Sequence, residues 1–318
     1  MNSSALEQRP AFVTDELLAK LQAWKIKDVL VLQGGERLWE WHEKGADRLG
    51  AVYSCTKSFV SALIGIAIDR GNITSVEEPV STYFPSLADA EDARYGEMTL
   101  RHLLTMTSGL DWPDFDKPYW QMKRCDDWVA FILSQPMAHH PGSAFAYNTG
   151  GSHLLSAILT QATGMSTFDF AQANLFGKLN FRKPRWNSAS GIHEGGAGLH
   201  LTVWDMAKFG QLYLQGGEWE GERIVSRSWV EASTTSHHKG LQHYDPPIFG
   251  EYGYHWWVSD AAHNGTVDCY FAKGYGGQFI FVVPSLELVA AIRKEPDGKR
   301  NAMYAKQLLF QHIVPSCS

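Results

Sequence analysis

Ser54-Cys55-Thr56-Lys57-Ser58-Phe59-Val60-Ser61-Ala62-Leu63-Ile64-Gly65-Ile66-Ala67-Ile68 is the stretch on which the reading of this chain turns. Apolar residues at 59, 60, 63, 64, 67 and 68 predict a helix buried along one broad face. A helix starting near Ser54 sets residues three apart on the same side, so the Lys57 amine reaches the Ser54 hydroxyl. Lysine is a poor structural choice there, because the first helical turn carries partial positive charge. Burial and that field together lower an amine's pKa toward the range in which it accepts a proton. A neutral lysine beside a serine makes an activated nucleophile. The pattern alone is not decisive, since Ser236-His237-His238-Lys239 satisfies it too, in a polar stretch with no apolar period behind it.

Outward from that helix, the composition is that of a globular chain. Of its 318 residues 44% are hydrophobic and 19% charged, enough for a substantial core in one or two domains. A formal net charge of -6 and scattered Lys and Arg argue against a nucleic-acid partner and a polybasic membrane patch. No apolar run approaches the length of a membrane span. Residues 1–14 lack an apolar signal core, which points to the cytoplasm. Cys55, Cys125, Cys269 and Cys317 form no C-x-x-C pair, so free thiols are expected and no zinc site. Cys55, one position past the serine, faces elsewhere on the helix and reads as packing. His139-His140 and His237-His238 are adjacent pairs whose rings face apart, so no metal or other cofactor is expected.

The periodicity predicts a helix over 14–24, a hairpin from 28–33 and 37–42 around Gly34-Gly35, and mostly helical segments between Pro79 and Pro184. Further helices are expected at 203–214 and around Trp229. Strands follow at 252–258, 266–271, 278–283 and 287–292, then a closing helix over 302–313. Strands at both ends with helices between predict one antiparallel sheet assembled from both termini, an α+β fold. The division falls into an α/β part, about residues 1–78 and 235–318, and a helical part, about 79–234, within a single catalytic domain.

Two further stretches carry chemistry. Pro141 to Gly151 is rich in turn formers and places Tyr147 just before a helix, where a loop phenol reaches a cleft. A tyrosine hydrogen-bonded to a lysine ammonium has a lowered pKa and suits proton transfer to a leaving group. Lys273-Gly274-Tyr275-Gly276-Gly277-Gln278 is expected to open a strand whose glycines admit a close backbone approach, or to form a glycine turn. As an edge strand it offers N–H groups that form an oxyanion hole with the N–H of Ser54. Trp112 to Trp120, with Tyr119, is an aromatic loop that reads either as a substrate lid or as a plug of the helical part.

Ser54-Cys55-Thr56-Lys57, the Tyr147-Asn148-Thr149 loop and the glycine cluster stand in the order of the three signature boxes of the serine β-lactamase and penicillin-binding-protein superfamily. The chain resembles its class C and esterase branch, which includes nylon-oligomer hydrolases. Leu100 to Leu110, Gly195-Gly196-Ala197-Gly198-Leu199 and Tyr252 to Trp257 are similar to the same family, so the likeness runs over roughly residues 35–310. It implies Ser54 as the acylated nucleophile, Lys57 as its proton partner, Tyr147 as general acid/base and Gly277 as the second oxyanion N–H. Thr149 stands where the family usually has Asn, and Gly274-Tyr275-Gly276 where it has Lys/His-Thr-Gly. Lys273 lies one place too early, so alternation aims it at the opposite face. Losing the groups that hold a β-lactam carboxylate favours a small ester or linear amide as substrate. The alternatives are a β-lactamase or D-alanyl-D-alanine carboxypeptidase, and a non-catalytic acyl-binding protein. A monomer or homodimer is expected.

Overall fold

The hairpin at the N-terminal end explains the architecture. In the computed structural model, which describes residues 9–113, 117–241, 248–297 and 303–317, β1 (Ile26–Gln33) and β2 (Glu36–His42) are joined at Gly34-Gly35. Both glycines have positive φ, 58° and 84°, as a tight two-residue hairpin requires. Leu30 and Leu32 of β1 face one core, while Val29 and Val31 face another. A strand covered on both faces reads as a continuous apolar run, which is how Val29 to Leu32 reads.

The other strands of the sheet come from the far end of the chain. They are β3 (Glu251–Tyr252), β4 (Trp257–Ser259), β5 (Cys269–Gly274), β6 (Gln278–Val283) and β7 (Leu288–Lys294). The seven-stranded order is β3-β4-β5-β6-β7-β1-β2, antiparallel at each pairing, so β1 docks against β7 across the whole length of the chain. This is the α+β fold with a sheet built from both termini.

One face of the sheet packs on α1 (Asp15–Ala23) and on the helix that starts at Met303–Gln307, through Phe271, Phe279, Phe281 and Ile292. Residue 302, where the closing helix was expected to begin, lies outside the described residues. The opposite face, with Ile280, Val282 and Val289, packs on α2 (Thr56–Asp69), α6 (Thr149–Thr163) and α8 (Val203–Leu214). Short helices fill the rest of the helical part: α3 (Leu100–Leu104), α4 (Lys117–Met122), α5 (Trp128–Leu133) and α7 (Thr167–Ala171). Asn148 caps α6 by accepting from the Gly151 N–H, and Thr202 and Asp205 form a capping box on α8.

Four expectations are corrected. Helix α2 is buried on all sides from Thr56 to Ala67, not along one face. Two of its small polar residues bond to backbone: Thr56 Oγ1 donates to Tyr53 O (2.6 Å) and Ser58 Oγ to His255 O (2.6 Å). The helix also begins at Thr56, after a 3-10 turn over Tyr53–Cys55 that carries Ser54. The run 252–258 is two short strands rather than one. Gly253 sits where a Cβ would come within 2.1 Å of Ser233 O, and His255 has φ 60°, so the backbone must reverse there. Finally, Lys273-Gly274 ends a strand and Tyr275-Gly276-Gly277 is a hairpin turn in the interior of the sheet, not an edge strand.

Asp28, His42 and Asp47 bring ligand atoms within 4.8 Å of one another. Their carboxylates are already committed: Asp28 pairs with Arg293, and Asp47 accepts from the Val203 and Trp204 N–H groups at the start of α8. Among the described residues, no helix is long and apolar enough to cross a membrane.

Candidate active site

The 3-10 turn and the first turn of α2 present Ser54 and Lys57 on one side. Lys57 Nζ lies 3.1 Å from Ser54 Oγ, 3.3 Å from Thr149 Oγ1 and 2.7 Å from Gly196 O. The lysine is 1% exposed. Burial strips its ammonium of water and Lys273 repels it, with the Cys55 group pulling the other way, and the pKa falls from 10.5 to about 7. The three neighbours have different hydrogen-bonding capacity. The Gly196 carbonyl only accepts, while the serine and threonine hydroxyls also donate. A neutral amine that donates to Gly196 O and Thr149 Oγ1 keeps its lone pair for the Ser54 hydroxyl. The site is thus set up for the lysine to take the serine's proton.

Glycine makes the third contact possible. A Cβ on Gly196 would lie 2.4 Å from Thr149 Cγ2 and one on Gly195 2.1 Å from Ser152 O, so only the Gly195-Gly196 pair lets this backbone reach Lys57. Thr149, which stands where the family usually has Asn, is the first residue of α6 and turns its hydroxyl to the lysine.

Tyr147 is where the expectation fails in part. Its phenol shares a hydrogen bond with Ser54, and its ring stacks on Trp257 at 5.8 Å with 13° between planes. Lys57 Nζ sits over the ring face, 5.0 Å from its centre. Burial raises the phenol's pKa well above its ordinary value, with the Ser54 hydrogen bond only partly offsetting that. The lowering expected from a lysine ammonium does not occur: Lys57 Nζ lies over the ring face, and burial of the phenol itself dominates. At neutral pH Tyr147 is therefore a proton donor in waiting rather than a base.

The glycine turn lies against the Ser54 turn. The Tyr53 and Tyr275 rings meet edge-on at 5.8 Å, and Gly274 approaches so closely that a Cβ would fall 2.2 Å from Val52 O. Gly277, the N–H assigned to the oxyanion, instead donates to Gly274 O (3.3 Å) within the turn. Among the described residues the Tyr275 and Gly276 N–H groups both donate to no protein acceptor, whereas the Gly277 N–H is taken up within the turn. Tyr275 is 53% exposed beside it.

The proposed lid divides. Trp112 is 2% exposed and packs on Gly150, where a Cβ would come within 2.7 Å of its ring, so it is a core residue and not a lid. Tyr119 is half-buried against the same core, and only Trp120 is well exposed, at 57%. Residues 114–116 of that loop lie outside the described residues. Cys55 is fully buried, its Sγ 3.6 Å from Gln278 O, and burial pushes its thiol far up. Lys273 lies over the Phe249 ring (4.7 Å) on the Phe279 side of the sheet, its pKa lowered to about 8 by burial.

Two participants escaped the sequence reading. The Gly196 carbonyl belongs to a glycine run that carried no polar side chain to draw notice. His255, 2% exposed at φ 60°, bonds Ser152 Oγ through Nε2 (3.1 Å) and accepts from Ser58 with its carbonyl. Burial, with Lys57 adding to it, drives its pKa down to about 3 and keeps the ring neutral. A non-glycine residue at positive φ was the signal, and it is visible only in coordinates.

A serine hydroxyl 3.1 Å from a desolvated lysine, at the start of a helix packed against an antiparallel sheet, is an arrangement suited to acyl transfer. The comparisons agree with it. The family described as Beta-lactamase matches residues 28–309, and the chain belongs to this family of serine hydrolases. The 6-aminohexanoate-dimer hydrolase of Paenarthrobacter ureafaciens is 26% identical over 221 residues, covering 64% of this chain; the match spans 55%, about half, of that protein's length. A putative 6-aminohexanoate-dimer hydrolase from Bacillus anthracis superimposes with a TM-score of 0.74 at 21% identity, covering 92% of this chain and 80% of that one. EstCE1, a hydrolase with promiscuous acyltransferase activity, gives 0.75 at 16% identity, covering 95% and 98%. At those identities the structures share the fold.

Proposed function

We propose that the chain hydrolyses small esters or linear amides through an acyl-enzyme on Ser54. The observation that carries this reading is the 3.1 Å contact between Ser54 Oγ and a Lys57 that is 1% exposed and held at a pKa of about 7. Lys57 takes the hydroxyl proton as Ser54 Oγ attacks the carbonyl carbon. The Ser54 N–H and an unpartnered N–H of the Tyr275-Gly276 turn stabilise the oxyanion. As the bond to the leaving group breaks, Tyr147 gives its proton to the leaving oxygen or nitrogen, and the Lys57 ammonium returns the serine's proton to the phenolate, leaving the amine neutral. Water then enters, Lys57 accepts its proton, and collapse of the second tetrahedral species frees the acid and the serine.

The altered turn supports ester or linear amide over β-lactam: Gly274-Tyr275-Gly276 offers no cation for a substrate carboxylate, and Lys273 points to the other face of the sheet. Likeness to a protein named as hydrolysing the 6-aminohexanoate dimer favours the amide arm. Steady-state assays with 4-nitrophenyl butyrate, a linear amide and a chromogenic cephalosporin test the reading. Ester or amide turnover that vanishes in Ser54→Ala is expected. Faster turnover of the cephalosporin, or ester turnover that survives Ser54→Ala, contradicts it.

A further inference from the structure

Thr56 stands between the serine and the lysine of the Ser54–Lys57 stretch and has no part in the reaction scheme. It is fully buried, and its hydroxyl makes two hydrogen bonds. Oγ1 donates to Tyr53 O (2.6 Å) and accepts from the Leu199 N–H (3.2 Å). A carbonyl only accepts and a backbone N–H only donates, so the two partners fix which way the hydroxyl proton points. The Thr56 N–H bonds the same Tyr53 carbonyl within the 3-10 turn. What the hydroxyl adds is a link from that turn to the short strand Leu199–Leu201.

Both ends of the link bear on the catalytic pair. At one end Tyr53 has φ 48°. A bulky residue at positive φ is unfavourable and persists only where its surroundings hold it. The Tyr53 carbonyl and the Ser54 N–H share one planar peptide, so a bond to the carbonyl also fixes the backbone that carries the serine. At the other end Leu199 follows the Gly195-Gly196-Ala197-Gly198 run, by which Gly196 O reaches Lys57 Nζ at 2.7 Å. The Leu199 carbonyl takes the Val52 N–H (3.0 Å), so residue 199 is bonded to the chain just before Tyr53 and just after Ser54.

We propose that Thr56 is a positioning residue for acylation: its hydroxyl locks the strained Tyr53-Ser54 turn to the segment that carries Gly196, and so sets Ser54 Oγ against the Lys57 amine. The proposal rests on the acyl-enzyme reading above. A packing role for Thr56 predicts an effect on stability alone, and its methyl group serves that role as well as its hydroxyl.

The experiment measures single-turnover acylation by 4-nitrophenyl butyrate in wild type, Ser54→Ala, Thr56→Val, Thr56→Ala and Thr56→Ser, with melting followed by circular dichroism. Thr56→Val keeps the shape and removes the hydroxyl. Thr56→Ala removes it without setting a second methyl against two polar groups, and serves if the valine variant does not fold. Thr56→Ser keeps the hydroxyl and drops the methyl. Loss of the hydroxyl is expected to lower the maximal acylation rate at least about tenfold, with the half-saturating concentration within about threefold, because a misplaced nucleophile slows the bond-forming step. Thr56→Ser is expected to stay within about threefold of wild type in that rate, even where its melting temperature falls. A folded Thr56→Val or Thr56→Ala that loses less than about tenfold overturns the proposal, and so does a Thr56→Ser as slow as they are. Nitrophenol release that persists in Ser54→Ala removes the underlying reading instead, and the control separates the two failures.

Discussion

Two stretches of this chain carry the same pattern, Ser54-Cys55-Thr56-Lys57 and Ser236-His237-His238-Lys239, and the molecule treats them oppositely. In the first, the lysine is the second residue of a fully buried helix, reaches the serine at 3.1 Å and is pressed toward neutrality. In the second there is no helix, Lys239 is exposed, and Ser236 Oγ donates weakly to His238 O at 3.4 Å. Spacing supplies the reach only when a helix imposes it, and burial supplies the pKa. Lys273 extends the contrast. It is buried with a pKa lowered to about 8, yet it lies over the Phe249 ring. A depressed lysine is a base only where a hydroxyl is placed to give it a proton.

The comparison breaks first at the serines. Ser54→Ala should cost about 10⁴-fold or more in kcat/KM for 4-nitrophenyl butyrate, while Ser236→Ala stays within about twofold. Lys57→Met should cost about 10³-fold, within the range of general-base catalysis, and Lys239→Ala nothing measurable in the same assay. In the wild type the neutral amine is the reactive form, so kcat/KM should climb tenfold per pH unit at low pH and level off above about 7.

The same shift acts on stability. With the folded pKa near 7 and the ordinary value 10.5, the unfolded chain binds more protons between those limits. Burying Lys57 therefore costs most below pH 7, and the penalty fades as pH rises toward 10.5. Lys57→Met should accordingly raise the melting temperature by about 2–4 °C, most at low pH, when followed by circular dichroism.

Smaller effects sharpen the picture. Tyr147→Phe should lower kcat by about 10²-fold, with no falling limb in the wild-type profile up to pH 9, because the phenol stays protonated there. Lys273→Met should change kcat less than about threefold and move the rising limb to higher pH, since Lys273 repels the Lys57 ammonium. Cys55→Ala should stay within about twofold in turnover.

Most of the fold was legible because it rests on local signals. The hairpin at Gly34-Gly35, the capped helices and the apolar runs of β1, β6 and β7 each declare themselves within a few residues. The approach of Lys57 to Ser54 was legible for the same reason, the two being one turn apart. What was not legible depends on distant backbone. That Tyr275-Gly276-Gly277 is a turn rather than an edge strand follows from how β5 and β6 pair. That the Gly277 N–H is occupied follows from a single hydrogen bond inside that turn. The direction of the Tyr147 shift was misjudged because it follows from the burial of the phenol itself, which sequence does not display. Trp112 could be read as lid or as plug because an aromatic loop residue looks the same in sequence whether it faces solvent or, as here, a glycine on α6.

The central claim is that a buried, neutral Lys57 makes Ser54 the nucleophile. The most direct measurement is the rate of acylation by 4-nitrophenyl acetate in single-turnover experiments across pH 5 to 10, with the adduct located by peptide mass. The account predicts an acetyl group on the peptide carrying Ser54, forming at a rate that rises to a plateau with a midpoint near pH 7, and no such adduct in Lys57→Met. An adduct on another residue, or a rate that still climbs tenfold per unit above pH 9, would contradict it.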